Sequence, residues 1–538
     1  MERRTRRLVV ALLVGSFLFM GVQAAAAATT WVVDDDGVQC PAPNFSSITA
    51  AVAFASSGDT IEVCVGTYLE NVVLSESLTL LGPQEGVEAC GRTASEAVVT
   101  PLVPAVPTLT LLTGSAGSII DGFTFLGGFR GIESDTGPIN DLELLNNRFH
   151  MFTNAAVFLD DNGPNITVAQ NEIDGTFKLG GGGLFHLDQD NFDGFWFIDN
   201  CVVNGTTGTG FFVDGNRNVD HGTPGSRIPR FTGNFIDNNG TGTNLGRFAW
   251  GDGPISGNTF SDNLFDGLQG GPKNSLIEQN TFHGNGGNGL ALTGFGGAAD
   301  PTRGAQNNDI LRNCFTGNGT GILFSAGQFP GTISTNEAHQ NNISGNATGA
   351  RYLGPESIPA ELNWWGSPTG PFDPIDNPSG TGNAVVDVGN GIDFIPFRTT
   401  PVGGTPCLPV TTPGCEITIS NGGWIYADNG DRGIFGGIAK ADEDGNTSGN
   451  EVYEDKGPAQ PFMLHGDVLA IVCSTDSTEA SIFGVATIDG VDGHFFQIDV
   501  RDLAEPGKGA DTYRISTTGY DSGEHTLEAG NVNIRRSS

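Results

Sequence analysis

The sequence predicts an all-β chain: a right-handed parallel β-helix of about twelve coils over residues 29–398, then a small β-sandwich or barrel-like domain over 414–538. Three observations carry this prediction. A phrase of apolar residue, two residues, Asn, any residue, apolar residue recurs at intervals of 22 to 34 residues. Glycine supplies 81 of 538 residues while charged residues make up only 16 %, a composition that excludes long helices and coiled coils. With 38 % hydrophobic residues the chain still has enough apolar surface to fold.

The recurring phrase runs through Leu144…Asn147, Val168…Asn171, Phe197…Asn200, Phe231…Asn234, Ile255…Asn258, Ile277…Asn280 and Ile310…Asn313, with a weaker copy at Ala338…Asn341. Most copies continue into a second short strand opened by Gly, such as Gly289-Leu290-Ala291-Leu292. This period is too short for propeller blades, and no Leu-rich consensus is present. One repeat per coil places Asn at the same bend in each turn, where stacked amides bond to one another while apolar neighbours point inward. At 4.8 Å per coil the rod is roughly 55–60 Å long.

Open ends of such a rod are sheet edges and require covers. Residues 45–56 supply one: Ile48, Ala51, Val52 and Ala55 share a helical face, and Thr60 to Val65 reads as the next strand. At the other end Asn363-Trp364-Trp365-Gly366 keeps the Asn register and brings large rings to the last coil.

Residues 1–28 read as a signal peptide, with basic residues from Arg3 to Arg7, an apolar stretch from Leu8 to Val22 and small residues from Ala24 to Ala28. No later segment is long and apolar enough to span a membrane, so the expected destination is secreted or extracellular. The formal net charge of -36 makes nucleic acid an unfavourable partner. Ca²⁺ is the companion expected of stacked carboxylates. Oligomeric state is not legible.

Eight cysteines follow the signal. Cys201 and Cys314 occupy equivalent places four coils apart, about 19 Å along the rod, too far for a disulfide. The expected pairs are Cys40–Cys64 at the cap and Cys415–Cys473 in the last domain, with Cys90 and Cys407 unassigned. Residues 399–413 are rich in Pro, Thr and Gly and read as a linker. Beyond them the runs at 417–419, 468–472, 481–485 and 495–500 are separate strands with loops between.

The run Trp31-Val32-Val33-Asp34-Asp35-Asp36-Gly37, with Cys40, Phe45, Ile48, Gly58-Asp59-Thr60-Ile61 and Gly66-Thr67-Tyr68, resembles the start of secreted pectate-lyase-like β-helix proteins. Asn363-Trp364-Trp365-Gly366, Gly370-Pro371 and Gly391-Ile392-Asp393-Phe394 are similar to the way many of them close. The repeats are also similar to those of nitrous-oxide-reductase maturation proteins, but the scattered His and Met residues do not fit copper loading. Gly422-Gly423-Trp424, Val472-Cys473-Ser474 and Glu505-Pro506-Gly507 resemble a small C-terminal β domain found beside choice-of-anchor domains. The resemblance implies a fold shared by lyases, hydrolases, epimerases and members of no known activity, and it selects none of them.

One column of residues carries candidate chemistry. Asp160, Asp188 and Asp214 each end the second strand of a coil, and alternation turns Phe158, His186 and Phe212 outward beside them. Three carboxylates on adjacent coils form a candidate Ca²⁺ site, with His186 as candidate base. Asp and Asn also end strands simply because they favour turns. Neighbouring inserts bring Arg217, Arg227 and Arg230 as candidate substrate-binding residues, and Trp250 with Asp252 as a candidate sugar-stacking loop. The shortage of cations near the column favours glycan or surface binding. The alternatives are a Ca²⁺-dependent lyase, hydrolase or epimerase acting on acidic glycans, and a structural stalk.

Overall fold

A computed structural model describes residues 28–134, 137–160, 163–188, 193–214, 227–246, 251–293, 304–325, 333, 335–354, 356–388, 391–408, 416–442, 445–474, 478–517 and 520–536. The signal-peptide reading falls almost wholly outside them. Among the described residues no helix is long and apolar enough to cross a membrane.

Twelve parallel strands, one per coil, build the first sheet, from Thr30–Val33 to Glu337–His339. Each coil, numbered here by its first-sheet strand, then bends at Asn into a second sheet. After another bend it enters a third. The coil around Asn200 is representative: Trp196–Ile198, then Cys201–Val203, then Thr209–Asp214. Neighbouring coils keep strict register, Phe197 opposite Val168 and Phe231, Val202 opposite Ile173 and Ile236.

The expected amide ladder runs from Asn147 to Asn363. Asn258 Nδ2 donates to Asn280 Oδ1 at 2.9 Å and to the Phe231 carbonyl at 2.9 Å; Asn280 Nδ2 repeats this to Asn313 at 2.9 Å. These side chains are fully enclosed, so every amide atom must find a partner inside the rod, and stacking in register provides it. A second ladder, through Asn239, Asn263, Asn285, Asn318 and Asn346, lines the next bend. Between the ladders, Phe260, Phe282 and Phe315 stack with centroids 5.0 and 4.7 Å apart.

The N-terminal cover is the helix Ile48–Phe54, capped by Ser47 and buried through Ile48, Ala51 and Val52. At the far end Asn363 is the last rung of the first ladder, and Trp365 is fully buried over the final coil. Cys40 bonds to Cys64 beneath the cap. The strap of residues 82–96 lies across later coils, joined there by Cys90–Cys201. On that strap Gly91 N–H donates to Glu172 at 2.8 Å, and Arg92 pairs with Glu96 at 3.0 Å.

The C-terminal part is one curled antiparallel sheet, a half-barrel, and not the two-sheet sandwich offered as one expectation. Its strands meander in chain order from Ile417–Tyr426 to Thr512–Thr517 and Tyr520–Asp521, and Ala529–Arg536 returns beside the first. A single sheet suffices because it curls around its own core of Ile419, Tyr453, Ile482, Ile498 and Tyr513. Part of the segment expected to be a linker is held down. Cys407 bonds to Cys314, and Asn342 exchanges hydrogen bonds of 2.8 Å with the Val402 backbone. Cys473 is disulfide-bonded; its expected partner Cys415 lies outside the described residues.

Candidate functional site

The acidic column lies along the end of the third sheet. Strand pairing places Asp160 opposite Asp188 and Asp188 opposite Asp214, one per coil. The Asp160 and Asp188 side chains are half-buried; the side chain of Asp214 is not described. Two residues earlier on each strand, Phe158, His186 and Phe212 face outward as expected. They form an edge-to-face row, with the imidazole 4.8 Å from one ring and 4.9 Å from the other. Parallel register is the cause: identical alternation on three successive coils stacks equivalent side chains at the sheet spacing.

The structure adds one cation to this face, and a buried lysine behind it, that sequence reasoning missed. Arg130, one coil earlier, lays its guanidinium 3.7 Å from the Phe158 ring centroid. Its Nε donates to Asn154 Oδ1 at 3.0 Å, and its Nη1 pairs with Glu133. Lys178 is 4 % exposed and donates from Nζ to the Asn154 carbonyl. Burial and the nearby Arg130 guanidinium push the Lys178 ammonium down to about 8. Its aliphatic stem fills space left by Gly208, where a Cβ would come within 2.4 Å of Lys178 Cε. The one legible signal was rarity, since the β-helix contains only two lysines, Lys178 and Lys273.

The other candidates are placed elsewhere or are not described. Arg227 and Arg230 belong to the first sheet, where their guanidiniums lie 4.0 and 5.0 Å from the Trp196 ring. Arg227 also donates to Thr167 Oγ1 at 3.0 Å and to the Gly194 carbonyl at 3.2 Å. Burial lowers its pKa, with Glu143 and Asp141 opposing. Among the described residues no ion pair joins either arginine to the acidic column. Asp252 is exposed in a left-handed turn and accepts from Asn274 Nδ2 at 2.7 Å, as a turn residue does. Arg217 and Trp250 lie outside the described residues.

Chemically, this face offers a guanidinium on an aromatic ring, an imidazole between two rings, and carboxylates at the strand ends. A guanidinium and ring faces suit an anionic, hydroxyl-bearing ligand. Strand register sets Asp160 and Asp188 opposite one another on adjacent coils.

The family described as "Right handed beta helix region" matches residues 182–363. No curated protein is significantly similar in sequence. Among solved structures, the A-module of mannuronan C-5 epimerase AlgE4 from Azotobacter vinelandii is similar at 16 % identity and a TM-score of 0.40, over 65 % of this chain and 92 % of that one. Pectate lyase Pel9A is similar at 13 % identity and a TM-score of 0.25, over 69 % of this chain and 78 % of that one. Identities this low concern the course of the backbone alone. The family match and the three ladders of parallel strands agree that this chain is built on a right-handed parallel β-helix with a half-barrel sheet after it.

Proposed function

We propose that this is an exported β-helix protein that binds an acidic glycan along the outer face of the third sheet, in coils four to seven. The observation that carries the reading is Arg130, whose guanidinium lies 3.7 Å from the Phe158 ring centroid on the coil next to the acidic column. It supplies one cation beside that column. A uronate carboxylate would compete with Glu133 for the Arg130 guanidinium, the pyranose ring would lie against the row of Phe158, His186 and Phe212, and Asp160 and Asp188 would hold Ca²⁺, which would supply positive charge for a second carboxylate. Titration calorimetry with polygalacturonate and alginate, with and without Ca²⁺, tests this. Binding should weaken about tenfold in Arg130→Ala, the loss of one charge-assisted contact. Asp188→Asn should remove the Ca²⁺ dependence. Absence of binding to every uronate polymer would sink the reading.

A second reading is catalysis, with His186 as the base, an imidazole half-buried on the outer face between Phe158 and Phe212 and two residues from Asp188. A base that takes the C5 proton, α to a neutralised carboxylate, leaves a carbanion. Expulsion of the 4-linked sugar gives an unsaturated product; reprotonation from the opposite face gives the epimer. An ultraviolet assay for unsaturated product separates these readings. A signal lost in both His186→Ala and Asp188→Ala establishes a lyase. Binding with a flat trace leaves a binding protein or an epimerase, which proton exchange at C5 distinguishes.

A further inference from the structure

We propose that the cavity between the β-helix and the C-terminal sheet is a second ligand site, and that it takes a short neutral saccharide. The cavity measures about 590 Å³. That lies inside the ~300–1,000 Å³ range of small-molecule sites, which gather at domain interfaces. One wall is the outer face of the second sheet in coils eight to eleven, and the other is the half-barrel.

The two walls are fastened together. Cys314 on the helix side and Cys407 on the connecting segment both line the cavity and are bonded to each other. Beside it Trp364, Val402 and Leu408 pack with Phe483 and Phe495 of the half-barrel. The space is therefore a fixed feature of the fold, and no hinge is needed to form it.

Its chemistry selects the ligand class. Asp237 and Asp262 project from adjacent coils, and Asp521 faces them from the half-barrel. Ser261 Oγ donates to Asp237 Oδ1 at 2.6 Å, and His283 Nδ1 lies 3.1 Å from Thr316 Oγ1. Burial raises the Asp237 pKa and lowers that of His283, so this wall is poorly hydrated. Arg514, the one guanidinium among the described lining residues, is already engaged by Asp521 at 3.0 Å. An anionic ligand meets two further carboxylates, Asp237 and Asp262, beside a pair whose charges cancel, which disfavours uronates here. Carboxylates accept paired hydroxyl donors well, and Phe235, 41 % exposed, offers a ring to the C–H face of a pyranose. Hydroxyl-rich, uncharged and one-sidedly apolar describes a neutral sugar.

Calorimetry on the full chain with cellotriose, mannotriose, maltotriose, chitotriose and trigalacturonate tests the proposal. At least one neutral trisaccharide should bind at one site per chain. Phe235→Ala and Asp262→Asn should each weaken it by about tenfold or more. Both side chains are exposed, and unchanged melting and near-ultraviolet dichroism would show that the variants fold. Arg130→Ala, which disables the acidic-glycan face, should leave this binding unchanged, so the two sites fail separately. No heat from any neutral sugar, binding that survives both substitutions, or a Ca²⁺ signal removed by Asp262→Asn in place of a sugar signal would each overturn it.

Discussion

At the scale of single residues, enclosure decides what a polar side chain is worth. Asn280 sits in the rod with no access to water, donating to the Ile255 carbonyl and to Asn313 and accepting from Asn258. Asn280→Ala strands those partners in the interior, so a loss of about 3 kcal/mol or more is expected by chemical denaturation. Glu451 is enclosed by the half-barrel with Asn421 Nδ2 at 3.0 Å from both oxygens. Burial pushes its carboxyl up to about 7, against the hydrogen bond from Asn421. The folded state keeps a proton that the unfolded chain releases near its ordinary value of about 4.3. This contribution is complete below that value and declines as pH rises through about 7. Thermal melting of the C-terminal sheet should therefore fall from pH 5 to pH 8, and Glu451→Gln should flatten the trend. An unchanged slope in the variant would assign the trend to other groups.

At the scale of elements, the strap of residues 82–96 shows how a loop becomes part of a solenoid. It is joined by Cys90–Cys201, across a sequence separation of 111 residues. Loop-closure entropy for such a span gives about 5 kcal/mol, so the double variant Cys90→Ser, Cys201→Ser should melt well below the parent in oxidising buffer. The ionic contacts beneath it add a pH dependence of opposite sign to that of Glu451. Burial pushes Glu172 up, but His150 at 2.7 Å, the Gly91 N–H and Arg148 at 3.1 Å outweigh it and hold the carboxyl at about 2. That stability is present above the unfolded value and is lost as pH falls from about 4.3 through about 2. Hydrogen exchange at residues 82–96 should rise across that interval, and Glu172→Gln should remove the acid-dependent part.

At the scale of the whole molecule, the half-barrel is docked on the rod and does not hang from a tether. The Trp364–Phe495 cluster crosses between the two, and Ser344 Oγ donates to the Gly493 carbonyl, while the Cys314–Cys407 bond and the Asn342–Val402 hydrogen bonds hold the connecting segment to the rod. Phe495→Ala should loosen this contact through a large-to-small cost of about 3 kcal/mol at a 6 % exposed ring. Limited proteolysis between residues 408 and 416 would then proceed faster than in the parent. Equal cleavage rates would show that contacts other than the Phe495 ring maintain the docking. The docked arrangement also separates two chemistries in space, a cation-bearing face on the third sheet and a carboxylate-lined cavity over the second.

The coil register was legible because the repeat writes the same side chain at the same bend. Asn147 through Asn363 announce the ladder, and the matching apolar pattern before Asp160, Asp188 and Asp214 announces that they fall opposite one another. The second ladder from Asn239 to Asn346 was less visible, because its asparagines sit among turn residues that need no ladder to explain them. Nothing periodic announces Arg130 at the acidic face and Lys178 behind it, the pairing of Cys90 with Cys201 or of Cys314 with Cys407, or the seating of the half-barrel. Those contacts join residues from different coils, or from the rod and its appendage. A periodic sequence determines what lies one coil away; longer reach depends on where irregular loops and the last sheet pack. That packing is set by shape and burial in three dimensions, which only the tertiary structure decides.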